Sequence, residues 1–163
     1  MGAILTSATI WLALSLYAAS QLWRRYSPAR RTSIGVWLLG LGLTSYAAHI
    51  ATAFEVHYNW SQAVAYAETA RQAKAVFGWA FGGGLYINFL FGLFWLSEVC
   101  WWSKIPQGYL KRAVWLEWTS RSFFLLMVVN GAVIFVNTPQ RWFGIVLVLI
   151  IVATWWPTRN LLS

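Results

Sequence analysis

The residues of this chain that could carry out chemistry are few. The 163 residues include two histidines, His49 and His57, one cysteine, Cys100, and four acidic residues, none of which is Asp. A single cysteine excludes a disulfide or an iron–sulfur cluster within one chain, and metal-dependent phosphotransfer lacks its Asp ligands. A Ser–His–acid set would have to use Ser61, and no oxyanion-hole motif accompanies it. We therefore predict no catalytic residues and no metal site.

The first series of polar and small residues surrounds His49. Its members recur at helical steps of three and four, so they share one narrow face: Gly42, Ser45, His49 and Thr52. One interpretation is a packing seam in which small residues let helices approach and hydroxyls bond across the interface. The other makes His49 a proton carrier or the axial ligand of a haem or pigment. His57 is only eight residues further on, about 12 Å of helical rise, so bis-histidine ligation within one chain is not expected.

A second series lies further along the chain, again at helical spacing: Gly84, Asn88, Phe91, Trp95 and Glu98. Before it, Gly78 and Gly82 form a small-xxx-small pair, and Gly82–Gly84 are three successive positions without a side chain. Such a run predicts close approach of another backbone or a flat cofactor. The buried amide of Asn88 needs partners. Glu98 is expected to pair with Lys104 or Arg121 or to face water, and a role in proton or ion pairing stays open.

The elements that position these residues are predicted to be membrane-spanning helices. Apolar residues make up 60% of the chain, mean hydropathy is +0.57, and about 18 apolar residues suffice to cross a bilayer. We predict one all-α integral membrane domain over 1–163, with about five helices in one bundle. The expected spans are 3–23, 33–54, 76–101, 122–136 and 142–156. A hairpin that enters and leaves on one side is the alternative for the last two, which are short.

The distribution of basic residues predicts the orientation. Two connections are strongly basic and lie on the same side: Arg24, Arg25, Arg30 and Arg31 in the first, and Lys104, Lys111, Arg112 and Arg121 in the third. Lys and Arg collect on the cytoplasmic side. We therefore expect the N-terminus outside, the C-terminus inside and a bacterial inner membrane as the location. The net charge of +8 is then explained by contact with anionic lipids rather than nucleic acid.

The outer connection, 55–75, is predicted to form a short amphipathic helix on the membrane surface. Asn59 or Ser61 can cap it, and Glu68 and Arg71 are spaced to pair. Trp60 is expected at the headgroup level. The segment also contains the polar residues that a site on this side would use: Glu55, His57, Trp60, Ser61 and Arg71.

The stretch from about 49 to 142 resembles a family of small bacterial multi-helix membrane proteins. The resemblance is carried by His49…His57-x2-Trp60-Ser61-x-Ala63, Thr69-Ala70-Arg71-Gln72, and Gly82-Gly83-Gly84-Leu85-Tyr86-x-Asn88, with Trp95-Leu96, Trp101-Trp102 and Arg141-Trp142 following. The family has no established activity. The resemblance therefore implies only that the outer segment and the glycine run belong to one unit.

The thirteen Trp exceed what interfacial belts on five short helices need, and they suggest grooves for lipid, quinone, carotenoid or chlorin at a subunit interface. We expect a non-catalytic subunit of a photosynthetic or respiratory membrane complex that fills contacts between subunits, lipids and pigments. The cofactor itself is unknown. The alternative is a small transporter or ligand-binding protein that uses His49 with Asn88 and Glu98. A subunit should co-purify with other membrane proteins, whereas a transporter should act alone.

Overall fold

The described part of the chain is mostly helical and contains no strand, which confirms the predicted all-α class. A computed structural model describes residues 2–27, 32–136 and 139–155. Its α-helices are α1 Gly2–Tyr26, α2 Thr32–Ala53, α3 Gln62–Phe77, α4 Gly84–Lys104, α5 Pro106–Leu110, α6 Val114–Val129 and α7 Gln140–Ala153. Two π-helical segments, Phe54–Tyr58 and Asn130–Ile134, extend α2 and α6. Arg30 and Arg31 of the first basic connection and the last residue of the predicted span 142–156 lie outside the described ranges.

Three of these helices have the length and apolar composition needed to cross a membrane. They are Gly2–Tyr26, Ser33–Tyr58 and Gly84–Lys104, the second including its π-helical extension. Helix α7 is equally apolar but has only 14 residues. These features are those of a membrane protein.

The predicted third span, 76–101, is wrong at its start. Helix α3 continues to Phe77 and ends at Gly78, whose φ of +81° is left-handed and whose N–H donates to Lys74 O. Glycine reaches this conformation without steric cost, so it terminates the helix. Helix α4 then begins only at Gly84. Residues 76 and 77 therefore belong to α3, and the helix that is long enough to cross a membrane begins at Gly84.

Aromatic side chains form the core between α1, α2, α4 and α6. The Trp95 side chain is fully buried, donates its Nε1–H to Leu39 O at 3.1 Å and contacts the Phe124 ring at 5.2 Å. Tyr17 stacks on Phe124 at 4.3 Å. A Cβ atom on Gly42 would lie 2.9 Å from Trp95 Cζ2, so that glycine gives the indole its room. The two predicted series thus meet at Gly42 and Trp95.

Helix α7 packs closely on the π-helical end of α6. Its buried residues, Gly144, Leu147 and Ile151, form one stripe. A Cβ atom on Gly144 would stand 1.9 Å from Ala132 O, so only glycine fits there. At the other end of the helix, Trp155 meets Trp118 edge-on at 5.7 Å. Although the α7 sequence is apolar all round, this face is buried against α6.

Candidate ligand cavity and buried charge network

A cavity of about 500 Å³ opens at the end of the bundle that carries α3. Helices α2, α3, α4 and the π-helical end of α6 supply most of its lining, and Ile10 and Leu14 of α1 add to it. Most of the lining is apolar and rich in aromatic rings. The polar members are Tyr46, His49, Tyr58, Thr69, Gln72, Asn88 and Asn130. Among the described residues the lining contains no Lys, Arg, Asp or Glu. The size and composition are those of a site for an apolar small molecule.

His49 is held in this lining by a contact between helices. Its Nδ1 atom lies 2.9 Å from the backbone oxygen of Thr6 in α1. A carbonyl oxygen can only accept, so Nδ1 carries the hydrogen in this contact. In the neutral ring Nε2 is then an acceptor, and it makes no hydrogen bond to any residue in the described ranges. The side chain is half-buried, which places one unused acceptor in an apolar surround.

Ser45 and Thr52, the other polar members of the first series, do not bond across an interface as the packing-seam interpretation requires. The Ser45 hydroxyl donates to Leu41 O at 2.9 Å, and that of Thr52 donates to His49 O at 3.0 Å. Both bonds stay within α2, because a hydroxyl on a helix reaches the carbonyl one turn earlier. The packing seam consists instead of the buried residues of α2, namely Gly35, Leu39, Gly42 and Tyr46.

The two asparagine side chains in the lining make no hydrogen bond to a described residue. Asn88 is exposed to the cavity side, and its side chain makes no hydrogen bond within the described part of the chain. The amide of Asn88 is expected to be buried and to need partners, whereas the structure leaves the residue exposed with no described side-chain partner. Its backbone oxygen instead accepts the Tyr46 hydroxyl at 2.9 Å. Asn130, where α6 becomes π-helical, likewise has no side-chain hydrogen bond to a described residue. These amides can donate to or accept from a bound molecule.

The glycine run packs against side chains rather than against another backbone. A Cβ atom on Gly82 would lie 2.5 Å from the Tyr66 ring, and one on Gly84 would lie 3.1 Å from Thr69 Cγ2. Both neighbours are on α3. Gly83 is close to the Phe81 ring, and Gly78 has nothing within 4 Å. The run therefore lets α3 lie close over the mouth of the cavity, and no second backbone is seated there.

The polar residues of the outer segment perform structural roles. Ser61 caps α3 by accepting the Val64 N–H at 3.3 Å, as one of the two predicted caps. Glu55 accepts the Trp60 indole N–H. Both Asn59 and Trp60 have positive φ values, 46° and 57°, which turn the chain from α2 to α3. His57 is exposed and makes no hydrogen bond within the described ranges. A Ser–His–acid arrangement is not assembled from these residues.

An exposed ion pair lies further along α3. Arg71 Nη2 is 2.6 Å from Glu68 Oε1. Hydrogen bonds from Arg71 and Gln72 lower the pKa of the Glu68 carboxyl to about 2. The Arg71 side chain is 72% exposed, so solvent screens the pair and it contributes little to stability.

A buried charge network lies at the opposite end of the bundle. The Arg112 side chain, 3% exposed, is 2.7 Å from Glu98 Oε2 and 2.5 Å from Glu117 Oε2. Tyr109 donates its hydroxyl to Glu98 at 2.8 Å. The Glu98 partner is thus Arg112, and the predictions of Lys104, Arg121 or water are wrong. Glu98 also does not line the cavity.

Glu117 is the second centre of this network, and it lies before the fourth predicted crossing. Both its oxygens accept from Arg24 at 2.9 Å, and Arg121 Nε lies 2.5 Å from Oε1. Burial alone would raise the pKa of this carboxyl, but the Arg24 hydrogen bonds and three nearby guanidinium charges lower it to about 2. Both carboxylates of the network are therefore fully matched by arginines, which fixes α1, α4, α5 and α6 to one another.

The network also shifts the pKa values of Tyr109, in α5, and Arg112, in the connection from α5 to α6. Burial opposes the charge on Arg112, but Tyr109 and Glu98 outweigh it and raise the pKa of the guanidinium. Burial and the Glu98 charge raise the pKa of the Tyr109 hydroxyl. Tyr109 therefore remains a neutral donor and Arg112 a fixed cation. The network is suited to holding structure rather than to exchanging protons.

Within the described residues, no group of three or more His, Cys, Asp or Glu side chains could hold a metal ion. Comparisons with protein-family models, with curated proteins and with solved structures find no match to this chain. The resemblance to small bacterial membrane proteins therefore rests on its motifs alone.

Proposed function

We propose that this chain is a non-catalytic integral membrane protein that binds an apolar small molecule. The observation that carries the proposal is the cavity of about 500 Å³ with the unpartnered His49, Asn88 and Asn130 side chains in its lining. His49 and Asn130 are half-buried and Asn88 is exposed on the cavity side, so their free donors and acceptors are available to orient an apolar molecule in a roomy site. A transport path from His49 to Glu98 has less support, because Glu98 is engaged by Arg112 outside the cavity.

For the topology, we propose five crossings with the N-terminus outside and the cavity at the outer end. The charge network and the Trp118–Trp155 contact lie at one end of the bundle. At the other end Gly2 lies against Val56, and Phe77 against Phe135 at 6.1 Å. These contacts support full crossings for the fourth and fifth spans over a re-entrant hairpin. The basic residues cluster at the network end, which favours that end as cytoplasmic.

Site-directed labelling tests this orientation. In a Cys100→Ser background, cysteines at the exposed positions Gln62 and Lys111 are expected to react from opposite sides of the membrane. An impermeant maleimide added to intact cells should label Gln62→Cys alone, and both should react after the cells are opened. Labelling of Lys111→Cys in intact cells would contradict the topology. The Cys100→Ser chain without a new cysteine is the control.

Occupation of the cavity can be tested by filling it. Ala53 lines the cavity, whereas Ala51, two residues earlier on the same helix, is exposed. The neutral probe N-phenyl-1-naphthylamine should receive energy from tryptophan saturably in the detergent-solubilised protein. Ala53→Leu should weaken its binding by about tenfold, since overpacking costs about 1–3 kcal/mol. Ala51→Leu should leave binding unchanged. Equal effects of the two substitutions, or none, would contradict the cavity site.

A second candidate is a subunit of a larger photosynthetic or respiratory complex in a bacterial inner membrane. It is favoured by aromatic side chains that no described part of the chain covers, with Trp37, Trp115 and Trp142 exposed by 70%, 67% and 66%. Trp is enriched in protein interfaces as well as at membrane surfaces. Partner subunits and lipids would cover these residues, and the cavity would hold a lipid, quinone or pigment at the contact. Native mass analysis of gently solubilised membranes should then show this chain with other proteins.

A further inference from the structure

We infer that the ligand of the cavity is an uncharged, ring-bearing molecule whose hydroxyl group donates a hydrogen bond to His49 Nε2. This inference rests on the proposed ligand-binding function and specifies the chemistry of the ligand. It follows from the absence of charge in the lining, the direction of the hydrogen bond that His49 already makes, and the aromatic walls.

The lack of charged side chains in the described lining favours an uncharged ligand. Among the described residues the lining has no Lys or Arg to match an anion and no Asp or Glu to match a cation. Moving an unpaired ionised group into an apolar site costs several kcal/mol, whereas a neutral molecule avoids that cost. Arg71 and Lys74 of α3 and Arg141, which donates to Val136 O, lie at the cavity end but are not part of the lining. Arg24, Arg112 and Arg121 belong to the network at the other end.

The contact with Thr6 decides which hydrogen-bond partner His49 needs. Because Nδ1 donates to the Thr6 carbonyl at 2.9 Å, the neutral ring offers only an acceptor at Nε2. An asparagine in the lining can turn its amide and serve either a donor or an acceptor, but His49 cannot. The ligand group beside His49 must therefore be a donor. Neutral donors are O–H and N–H groups, and a hydroxyl meets the requirement with a single heavy atom.

The aromatic lining of the cavity indicates the shape of the rest of the ligand. Aromatic rings from four parts of the chain line the cavity, among them Phe54, Phe77, Trp79, Phe91 and Phe135. Aromatic rings pack on one another in edge-to-face or offset arrangements that add to burial of apolar area. A planar ring body therefore suits the walls better than a flexible acyl chain. A phenol-type or hydroquinone-type head with an apolar ring system combines both requirements.

Three ligands that differ at one group test the inference: 2-naphthol, 2-methoxynaphthalene and 2-naphthoate. Binding to the detergent-solubilised full chain is measured by displacement of N-phenyl-1-naphthylamine. Each affinity is compared between the wild type and two variants. His49→Phe keeps the ring volume without an acceptor. His49→Asn keeps an amide near the Thr6 carbonyl and removes the Nε2 position. Partition into detergent is the same for all three proteins, so it cancels in the comparison.

For the wild type, the affinity for 2-naphthol divided by the affinity for its methyl ether is expected to be about three- to tenfold larger than the same ratio for either variant. A factor of this size is the effect of one hydrogen bond. 2-Naphthoate should bind weakest to the wild type. A preference for the ether, or one that survives in both variants, would overturn the role of His49 while leaving the cavity as a binding site. Tight binding of 2-naphthoate would overturn the neutral ligand. Failure of all three to displace the probe would overturn both this inference and the proposed function.

One further measurement distinguishes a ligand hydroxyl from a haem iron as the partner of His49 Nε2. Both would bind the same electron pair of that nitrogen. Haem titrated into the solubilised chain should give no His49-dependent Soret shift, because its two carboxylates would find no basic partner in the lining. A stoichiometric Soret shift that disappears in His49→Phe would replace the hydroxyl assignment with axial ligation.

Discussion

Replacing Arg112 by Met is expected to lower the free energy of unfolding by about 3–5 kcal/mol, because it leaves a buried carboxylate without a cation. Arg112 is the guanidinium that contacts Glu98, and both side chains are nearly inaccessible to solvent, at 3% and 7% exposed. Glu117 would keep Arg24 and Arg121. Glu98 would retain only the Tyr109 hydroxyl. The loss should appear as a lower midpoint in a detergent-denaturation titration of the purified protein.

The matched control is the exposed pair on α3. Arg71→Met likewise removes the cationic partner of a glutamate, Glu68, yet it should leave the denaturation midpoint almost unchanged because solvent screens that pair. A double variant, Glu98→Met with Arg112→Met, should recover most of the loss, since it removes both buried charges together. Equal midpoints for Arg112→Met and Arg71→Met would show that the network contributes no more than a surface pair.

Local sequence patterns predicted the helical membrane class and the Ser61 cap. These features depend on composition, on helical spacing and on the preference of Ser for the N-cap. His49 and Asn88 were placed on inward-facing series, and both line the cavity. The sequence could not show how each is satisfied. Helical periodicity places Ser45 and Thr52 on one face, and this is why it predicts that they bond across helices. Their hydroxyls instead donate to carbonyl oxygens of their own helix, which are nearer.

The partner of Glu98 could not be predicted, because it depends on how the loop after α4 folds back. Arg112 is 14 residues from Glu98, and the bond from Arg24 to Glu117 joins residues 93 apart. Lys104 is nearer in sequence, but it lies at the exposed end of α4. The cavity was also beyond sequence reasoning. A void is defined by what neighbouring helices leave unfilled, and here two π-helical segments shift the registers that frame it.

The close contact between α7 and the end of α6 was likewise missed, because α7 looks uniformly apolar. The signal was Gly144, the only glycine in a run of bulky residues. A methyl group there would stand 1.9 Å from Ala132 O and 2.7 Å from Ala132 C, and backbone atoms cannot rotate aside. Gly144→Ala should therefore force α7 away from α6 and cost about 3 kcal/mol, the upper end of overpacking penalties.

Gly131→Ala is the control for Gly144→Ala, because it adds the same methyl group one residue before Ala132. Nothing lies within 4 Å of a Cβ atom at Gly131. That substitution should be neutral or stabilise the fold by up to about 1 kcal/mol, since alanine restricts the unfolded chain. The denaturation midpoint of Gly144→Ala should therefore be lower than that of the wild type. The midpoint of Gly131→Ala should be equal to or higher than that of the wild type. A Gly144→Ala protein as stable as Gly131→Ala would show that the two helices are not in backbone contact.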